Sequence, residues 1–410
     1  MKTLLSAYSC LPSHGSEPGV GWNWAQCIAA NGHDVTVITR EANRPGIENH
    51  LVRVPATPMQ FIYHDLRRVG EVLYKLPFGN YLYYLIWQYT AAKLAFSLHL
   101  AEPFDRVQHV TWSSFRVPSF MGRLGIPFTF GPVGGGEDTP RKLRRGLGWR
   151  GSISDALRRF SSATAGLWMR FTYESATEII ATTPETLLAI PSKYRHKARC
   201  RQAVGIDPGV ARRPDTCAAL QQNRAKLELL FAGRLLPWKG LHLVLKALAH
   251  LGASQSTIHL TIIGAGSDAS RLRQMCRRLR LDGMVSWVPW MSRDALQAIY
   301  PQFDLFIFPS LHDSGGMAVL EAMTFGLPVL CLDLGGPGMT VDDQCGHVIP
   351  ARNLDEERVV DEIKRFFNRI LHDPNSLVAL SESARTRAST LTWQANVDSV
   401  YPKALTSQAS

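Results

Sequence analysis

The sequence has few cysteines, and they form no pattern. The seven cysteines are scattered along the chain, without a Cys-x-x-Cys pair and without Cys/His clusters at zinc-ligand spacing. An odd number with such spacing argues against a disulfide framework and against a structural zinc site. A reducing compartment, the cytoplasm, fits this pattern best.

Long hydrophobic runs are missing as well. The longest apolar segment, residues 81–100, contains Gln88, Lys93 and His99, whereas a membrane-spanning helix needs about 18 or more apolar residues in succession. We therefore expect a buried or interfacial helix there. The apolar N-terminus is too short for a secretory signal and runs into a glycine-rich turn, so we interpret it as a first strand.

Acidic residues are fewer than basic ones, 34 against 45, which gives a net charge of +11. Such a balance favours acidic partners: nucleotide phosphates, anionic lipid or nucleic acid. The absence of an aromatic-basic RNA motif and of a zinc finger argues against nucleic acid. Within residues 141–159, seven Arg and Lys side chains accompany one acidic residue, Asp155, and large apolar residues lie nearby. We expect this stretch to rest on an anionic membrane surface; a solvated basic face is the alternative.

The chain does contain a repeated alternation of apolar runs and helical periodicity. With 410 residues, of which 45% are hydrophobic, it can build two α/β domains. The predicted strands are 4–8, 35–39, 106–112, 127–132, 178–183, 227–232, 258–263, 285–288, 304–308 and 328–333. The predicted helices are 22–31, 241–251, 269–280, 293–300, 316–324, 354–371 and 376–389. This pattern is typical of doubly wound parallel sheets. It lapses at residues 205–225, which we interpret as a linker between an N-terminal domain, 1–205, and a C-terminal domain, 206–394.

Ligands of such sheets bind beyond the carboxyl ends of the strands. Strand 227–232 is followed by Gly233, Arg234 and, ahead of the next helix, Lys239. Two cations together with the amides of a helix N-terminus could hold a diphosphate. Two ordinary solvated cations are the alternative.

A second segment with candidate site residues follows the predicted strand that ends at Phe308. It places Asp313 in a loop and Glu321 in the second turn of a helix, with Gly315 and Gly316 at the helix start, where a ligand can approach the backbone. Glu321 lies on a largely apolar helix, so its carboxylate needs a partner. The partner is either a pair of sugar hydroxyls or a neighbouring arginine.

Gly233–Gly240, Pro309–Met323 and Gly326–Val329 resemble the donor half of the family 4 retaining glycosyltransferases of the GT-B fold. Those enzymes carry an E-x(7)-E pair within the pattern P-S-x-x-E-G-F-G-L-x-x-L-E-A-M. Further pieces resemble the family along nearly the whole chain: Gly264 to Gly266, Gly335 to Pro337, the acceptor-side glycine loop Gly15–Gly21, His109 at a strand end, and a closing helix from Trp393 to Tyr401.

The resemblance implies two Rossmann-like domains that face a cleft, with a C-terminal helix, 395–410, that crosses back onto the N-terminal domain. It implies that Arg234 and Lys239 hold the diphosphate of a UDP- or GDP-linked sugar without a metal or other cofactor, and that Glu321 binds the ribose. Further donor contacts would come from Gly233, Gly264, Gly266, Ser314, Gly315, Gly316 and Met317. His109 would bind hydroxyls of the sugar.

Asp313 stands where the family has glutamate, and Ser314-Gly315 replaces Gly-Phe. Aspartate keeps the charge but is one methylene shorter, so the sugar-facing contacts would differ. The implied reaction is the transfer of a hexosyl group, with retention, to a glycan or lipid-linked acceptor of polysaccharide or lipopolysaccharide synthesis. A GT-B phosphorylase, an epimerase and a non-catalytic sugar-nucleotide-binding subunit remain alternatives.

Three N-terminal features stay open. Gly15–Gly21 does not match G-x-G-x-x-G, which argues against a dehydrogenase; its Glu17 and Gly19 belong either to an acceptor loop or to a structural turn. His109, taken alone, is more typical of a packed or hydrogen-bonded core histidine, and only the resemblance assigns it to the sugar. The segment with Gly135 and Glu137 either lines the site, on the acceptor or the donor side, or is a plain connection.

Overall fold

A computed structural model of the chain describes residues 1–54, 59–66, 79–207, 226–252 and 257–404, together with Gly70 and Leu73. The chain divides into two compact units. Unit 1 consists of Met1–Gly136, Ser161–Val204 and the chain from Trp393 onward, and unit 2 consists of Glu137–Phe160 and Gly205–Thr392. Each unit has one parallel sheet and its own hydrophobic core.

The strands of unit 1 are β1 (Lys2–Ser6), β2 (Asp34–Thr39), β3 (Met59–Tyr63), β4 (Arg106–His109), β5 (Phe128–Val133), β6 (Glu178–Ala181) and β7 (Ala198–Cys200). Those of unit 2 are β8 (Leu227–Ala232), β9 (Ile258–Ile263), β10 (Val285–Val288), β11 (Leu305–Phe308), β12 (Val329–Leu332) and β13 (Gly346–Ile349). The sheet orders are β3-β2-β1-β4-β5-β6-β7 and β10-β9-β8-β11-β12-β13. Each sheet therefore turns back at its first strand, which is the doubly wound Rossmann arrangement. The expected α/β class with two Rossmann-like sheets is confirmed.

The helices connect these strands. They are α1 (Ser16–Ala30), α2 (Arg44–Arg53), α3 (Gly79–Ala101), α4 (Gly148–Trp168), α5 (Arg170–Ser175), α6 (Pro184–Ala189), α7 (Leu241–Ala249), α8 (Ala269–Arg278), α9 (Arg293–Ile299), α10 (Met317–Thr324), α11 (Gly335–Thr340), α12 (Glu356–His372), α13 (Ser376–Thr390) and α14 (Trp393–Asp398). The segment predicted as a buried or interfacial helix at 81–100 is α3. None of the helices that the structure describes has the length and apolar character needed to span a bilayer.

The strands are buried on both sides, as a parallel sheet covered by helices requires. In unit 2, Leu229 to Ala232 and Leu305 to Phe308 are buried and belong to one core with α7, α10 and α12. Continuous apolar runs of this kind define strands clearly, and β8, β9 and β10 have the predicted bounds. The predicted linker, apart from residues 205–207, lies outside the described residues.

The predicted loop at Gly15–Gly21 is wrong, because helix α1 already begins at Ser16. The glycines Gly19 and Gly21 serve close packing of the helix instead of forming a loop. An added Cβ would lie 2.1 Å from the His14 carbonyl oxygen at Gly19, and 2.2 Å from that of Ser9 at Gly21. Pro18 is compatible with a first helical turn, where the missing N–H is not needed.

Residues 137–160 pack with unit 2, whereas the sequence placed them in the N-terminal domain. Leu143 and Leu147 are buried in the core of unit 2. Arg271 donates a hydrogen bond to the carbonyl oxygen of Gly146, at 3.1 Å, and Lys142 donates one to that of Asn353, at 2.9 Å. At the other end, Asn31 in unit 1 donates to Asp398 and to the Tyr401 carbonyl, so the last described residues return to unit 1.

Replacement of Leu230 by alanine tests the core of unit 2. Leu230 is completely buried in β8, so Leu230→Ala should lower the free energy of unfolding by about 2–5 kcal/mol, through lost burial and the cavity that it leaves. The matched control is Leu188→Ala, at a mostly exposed position in α6, with an expected loss of about 0.5 kcal/mol or less. Urea unfolding measures both; equal losses would contradict this placement of β8.

Candidate active site

The candidate site lies at the carboxyl edge of the sheet of unit 2. Strands β8 and β11 are neighbours, with Leu229 opposite Leu305 and Leu230 opposite Phe306. Since parallel strands end at the same edge, the loops that follow Ala232 and Phe308 emerge side by side. The two segments predicted to carry the chemistry are thus brought together from positions about 75 residues apart.

The two loops are joined by backbone contacts and stacked rings. Leu311 donates its amide to the Trp238 carbonyl at 2.7 Å, and the rings of Trp238 and His312 stack with centroids 5.1 Å apart. Gly240 has a left-handed φ of 72°, and an added Cβ there would lie 1.9 Å from the Pro309 carbonyl oxygen. Only glycine permits this approach. The contact fixes the position of Lys239, the residue before it.

Asp313 is the centre of the site. One carboxylate oxygen forms an ion pair with the ammonium group of Lys239. The other accepts hydrogen bonds from the amides of Gly315 and Gly316, at 3.1 and 2.9 Å. Burial alone would raise the pKa of Asp313, but Lys239 and the two amides outweigh it and hold this pKa below its ordinary value. Asp313 is therefore ionised at neutral pH, and it occupies the Gly316 amide that the sequence assigned to a ligand.

Lys239 has a second contact besides Asp313. Its ammonium nitrogen lies 4.5 Å from the centroid of the Phe308 ring. Arg234, by contrast, is exposed, and no carboxylate pairs with it in the parts of the chain that the structure describes. Of the two predicted phosphate-binding cations, Lys239 is thus held in place by Asp313, whereas Arg234 forms no ion pair with a described carboxylate.

Glu321 lies in the second turn of α10 and is buried. Its carboxylate accepts a hydrogen bond from Nε of Arg293, at the start of α9, at 2.7 Å. Burial raises the pKa of Glu321 above its ordinary value, and Arg293 offsets part of that rise. Of the two partners that the sequence left open, the structure shows the arginine. Arg293 was not identified from the sequence. It follows strand β10 closely, and because ligands bind beyond the carboxyl ends of parallel strands, its position could have indicated a site residue.

The remaining donor-side glycines hold loops close together. An added Cβ at Gly264 would lie 2.0 Å from the Gly233 carbonyl oxygen, and one at Gly266 would lie 2.1 Å from that of Leu235. Gly336 donates its amide to the Asp313 carbonyl at 2.8 Å. The turns after β8, β9, β11 and β12 therefore form one packed edge around Asp313, with Met317 as the first residue of α10.

Glu137 joins this edge on the donor side, one of the two site-lining positions that the sequence left open for it. It is buried, and its carboxylate accepts a hydrogen bond from the hydroxyl of Ser314, at 2.7 Å. A second carboxylate thus lies one residue away from Asp313. Glu137 belongs to unit 2, together with the Asp313 segment, whereas Gly135 lies in unit 1, where Arg116 donates to its carbonyl oxygen at 2.7 Å.

In unit 1, Glu17 and Trp112 form a separate feature. The Glu17 carboxylate, in the first turn of α1, accepts a hydrogen bond from the Trp112 amide. Burial raises the pKa of Glu17, and the amide lowers it in part. Trp112 has a left-handed φ of 55°, a conformation that costs a bulky residue energy and often occurs at binding sites.

His109 is a core residue of unit 1. It ends β4 and is completely buried, with Nε2 2.9 Å from the Tyr84 hydroxyl and 3.0 Å from the Thr111 carbonyl oxygen. Burial lowers its pKa to about 4. The structure thus shows the hydrogen-bonded core histidine that the sequence had left as the alternative, and it leaves no part of the ring exposed to a substrate.

Replacement of Asp313 by asparagine tests the ion pair through its dependence on pH. Because the folded-state pKa is lowered, the charge of Asp313 stabilises the fold above about pH 4 and loses this effect as the pH falls through the folded pKa. Asp313→Asn should therefore lower the free energy of unfolding by about 1.5–3 kcal/mol near neutral pH, and by less in acid. The control is Asp361→Asn, at an exposed carboxylate of α12. Urea unfolding at both pH values measures the difference; a loss that does not depend on pH would contradict the ion pair.

Two family models match the chain. Residues 15–202 match the model described as "Glycosyl transferase 4-like domain", and residues 214–387 match "Glycosyl transferases group 1". A D-inositol 3-phosphate glycosyltransferase from Pseudarthrobacter chlorophenolicus is 24% identical over 394 residues, which cover 90% of this chain and 85% of the relative. Other matches are partial: the chain spans 55% of the length of the corresponding enzyme from Rhodococcus jostii.

Solved structures agree in fold. HepE from Anabaena, crystallised with UDP, superposes with a TM-score of 0.61 at 17% identity, covering 98% of this chain and 97% of HepE. WaaG, a glycosyltransferase involved in lipopolysaccharide biosynthesis, also gives 0.61, at 18% identity and with 97% and 98% coverage. The two family models together account for most of the chain, in the order of its two units. Residues 15–202 therefore belong to the glycosyl transferase 4-like domains, and residues 214–387 belong to the glycosyl transferases group 1 domains.

Proposed function

We propose that this glycosyltransferase moves a hexosyl group from a UDP- or GDP-linked sugar to a glycan or lipid-linked acceptor in the cytoplasm, with retention of anomeric configuration and without a metal. The observation that carries the proposal is the Lys239–Asp313 ion pair at the carboxyl edge of the sheet of unit 2. It brings a phosphate-binding cation and a sugar-facing carboxylate together at the start of α10. A cation there would stabilise the leaving diphosphate, and a carboxylate would accept hydrogen bonds from hydroxyls of the sugar.

The donor diphosphate would bind to Arg234 and Lys239. Arg234 is exposed and offers a planar fork of donors, which suits phosphate oxygens. Lys239 is largely buried and held by Asp313, so the phosphate would share its ammonium group with that carboxylate. As the bond from the anomeric carbon to the phosphate oxygen breaks, negative charge grows on the leaving diphosphate. Fixed cations at that point lower the barrier.

Bond formation and proton transfer follow from the same arrangement. The acceptor hydroxyl oxygen forms the new bond to the anomeric carbon on the face that the diphosphate leaves, and its proton passes to a departing phosphate oxygen. Asp313, kept ionised by Lys239, would orient hydroxyls of the sugar. Glu321 would bind the ribose hydroxyls with one carboxylate oxygen while the other remains with Arg293.

The acceptor would bind to unit 1, at the carboxyl edge of its sheet. Trp112 follows strand β4 there, and its strained backbone is fixed by the Glu17 carboxylate on one side and by the Tyr84 hydroxyl on the other, at 3.1 Å. A partly exposed indole and a partly buried carboxylate suit a sugar ring, which offers both an apolar face and hydroxyls. Relatives and neighbours support the substrate class: HepE was crystallised with UDP and with UDP-glucose, and WcaL of Escherichia coli is described as a putative colanic acid biosynthesis glycosyltransferase.

Removal of both cations tests donor binding. The Arg234→Ala, Lys239→Ala double variant should lose at least about 10²–10³ in turnover, because the leaving diphosphate is no longer stabilised, while the circular dichroism spectrum stays unchanged. The matched control removes two exposed cations of α8, Arg277→Ala and Arg278→Ala. The assay follows release of UDP or GDP across a panel of donors, with membrane extract as the acceptor source. Near-normal transfer by the Arg234/Lys239 variant would refute the assignment.

The stereochemistry of the product tests the reaction class. Proton NMR of the isolated product should show the anomeric configuration of the donor, since same-face attack retains it. An inverted product would exclude this mechanism.

Incubation of the enzyme with phosphate and an oligosaccharide, without a nucleotide sugar, should give no sugar phosphate. Formation of a sugar phosphate would indicate a phosphorylase.

A further inference from the structure

Helix α4 points its large apolar side chains outward. Six of them have exposed fractions between 47% and 80%: Trp149, Ile153, Leu157, Phe160, Leu167 and Trp168. They recur three, four or seven residues apart, apart from the final adjacent pair. At about 100° per residue they fall within roughly a third of the helix circumference. We name these six residues the α4 stripe.

The buried side of α4 is made of different residues. Gly151, Asp155 and Ala165 are buried, and they lie on the side of the helix opposite the stripe. An added Cβ at Gly151 would lie 2.8 Å from Cβ of Pro237, so this face packs closely. Asp155 forms ion pairs with Arg144 and Arg159, at 3.3 and 3.2 Å. The helix is thus anchored by small and paired residues, while the apolar side chains of the stripe stay largely exposed and the Trp168 N–H donates to the Arg116 carbonyl at 2.8 Å.

Such an arrangement reverses the usual pattern of a surface helix, whose apolar stripe faces the core. Single exposed apolar side chains are common, but a continuous exposed row marks an interaction surface. The stripe also ends in indole rings, Trp149 at one end and Trp168 at the other. Indole rings favour the boundary between water and lipid, because they combine a large apolar surface with an N–H group.

Charge distinguishes between the possible partners. Residues 141–171 contain eight Arg and Lys side chains, and four of them, Arg144, Arg158, Arg159 and Arg170, pair with Asp138, Asp155 or Glu174. Arg141 and Arg145 are exposed, and neither is paired with a carboxylate among the residues that the structure describes. A second copy docked face to face would bring this positive charge against itself, which is unfavourable. An anionic lipid surface complements it.

Aromatic and basic groups continue beyond α4 in unit 1. Arg123 lies over the rings of Phe171 and Tyr89, with its guanidinium carbon 5.9 and 5.2 Å from the ring centroids. Lys93 also lies over the Tyr89 ring, with its ammonium nitrogen 4.7 Å from the ring centroid. Phe171 and Phe96 are both exposed. Unit 1 therefore carries a second surface that pairs cations with exposed aromatic rings.

We propose that the α4 stripe docks the enzyme on an anionic bilayer, with the helix lying in the interface and its apolar side chains in the region between headgroups and acyl chains. The adjacent cations bind the anionic headgroups. Binding then combines buried apolar area with charge attraction, and it weakens as salt increases. This inference does not depend on the proposed reaction, because it concerns a surface outside the candidate active site.

Vesicle sedimentation of the full-length protein tests it. The protein should bind vesicles that contain phosphatidylglycerol, bind vesicles of pure phosphatidylcholine much less, and be released by salt. The variant Leu157→Ser, Phe160→Ser, Leu167→Ser should lose roughly tenfold or more in vesicle affinity. The matched control replaces three exposed apolar residues elsewhere, Val52→Ser, Leu188→Ser and Trp290→Ser, and should bind as the unaltered protein does.

The results separate docking from the rival explanations. Circular dichroism and thermal unfolding of the stripe variant should be unchanged, because its altered side chains are exposed. If the unaltered protein does not bind phosphatidylglycerol vesicles, or if the stripe and control variants bind equally, the proposal is overturned. If light scattering shows a dimer that the stripe substitutions convert to monomers, the stripe is a subunit interface and the proposal is also overturned. Transfer to a soluble acceptor should be retained by the stripe variant; this separates docking from the reaction.

Discussion

The ion pair between Lys239 and Asp313 holds the candidate site of unit 2 together. Through this one carboxylate, the loop after β8 is tied to the start of α10, and the Asp313 carbonyl ties in the loop after β12. Because the pair is largely buried, breaking it would leave a charge without a partner, which is far more costly than losing a surface ion pair. The lysine position and the helix start therefore depend on each other.

Close backbone approach is the second constraint, and it explains the glycines. Gly240, Gly264, Gly266 and Gly335 allow neighbouring turns to touch where a side chain would collide with a carbonyl group. These contacts assemble four turns into one rigid edge. A preorganised edge suits a catalyst of group transfer, since its charges need not move when the leaving group departs.

Much of this was predictable from the sequence. Strands β8, β9 and β10 are short, mostly apolar runs. Arg234, Lys239, Asp313 and Glu321 follow strand ends, where ligands of such sheets bind. Strand β13, Gly346–Ile349, was not predicted, because its glycine and histidine do not form an apolar run. The predicted start of α1 is too late, because glycine-rich segments are more typical of loops than of helix starts. The Arg293–Glu321 and Glu137–Ser314 contacts depend on tertiary placement, which periodicity does not encode.

The most direct test of the central claim is a crystal structure of the enzyme with UDP or GDP bound. The account predicts the diphosphate beyond the carboxyl ends of β8 and β11, in contact with Arg234 and Lys239, and the ribose hydroxyls on the carboxylate of Glu321. Asp313 should remain on the amides of Gly315 and Gly316. A nucleotide bound elsewhere on the molecule, or a diphosphate that touches neither cation, would contradict the account.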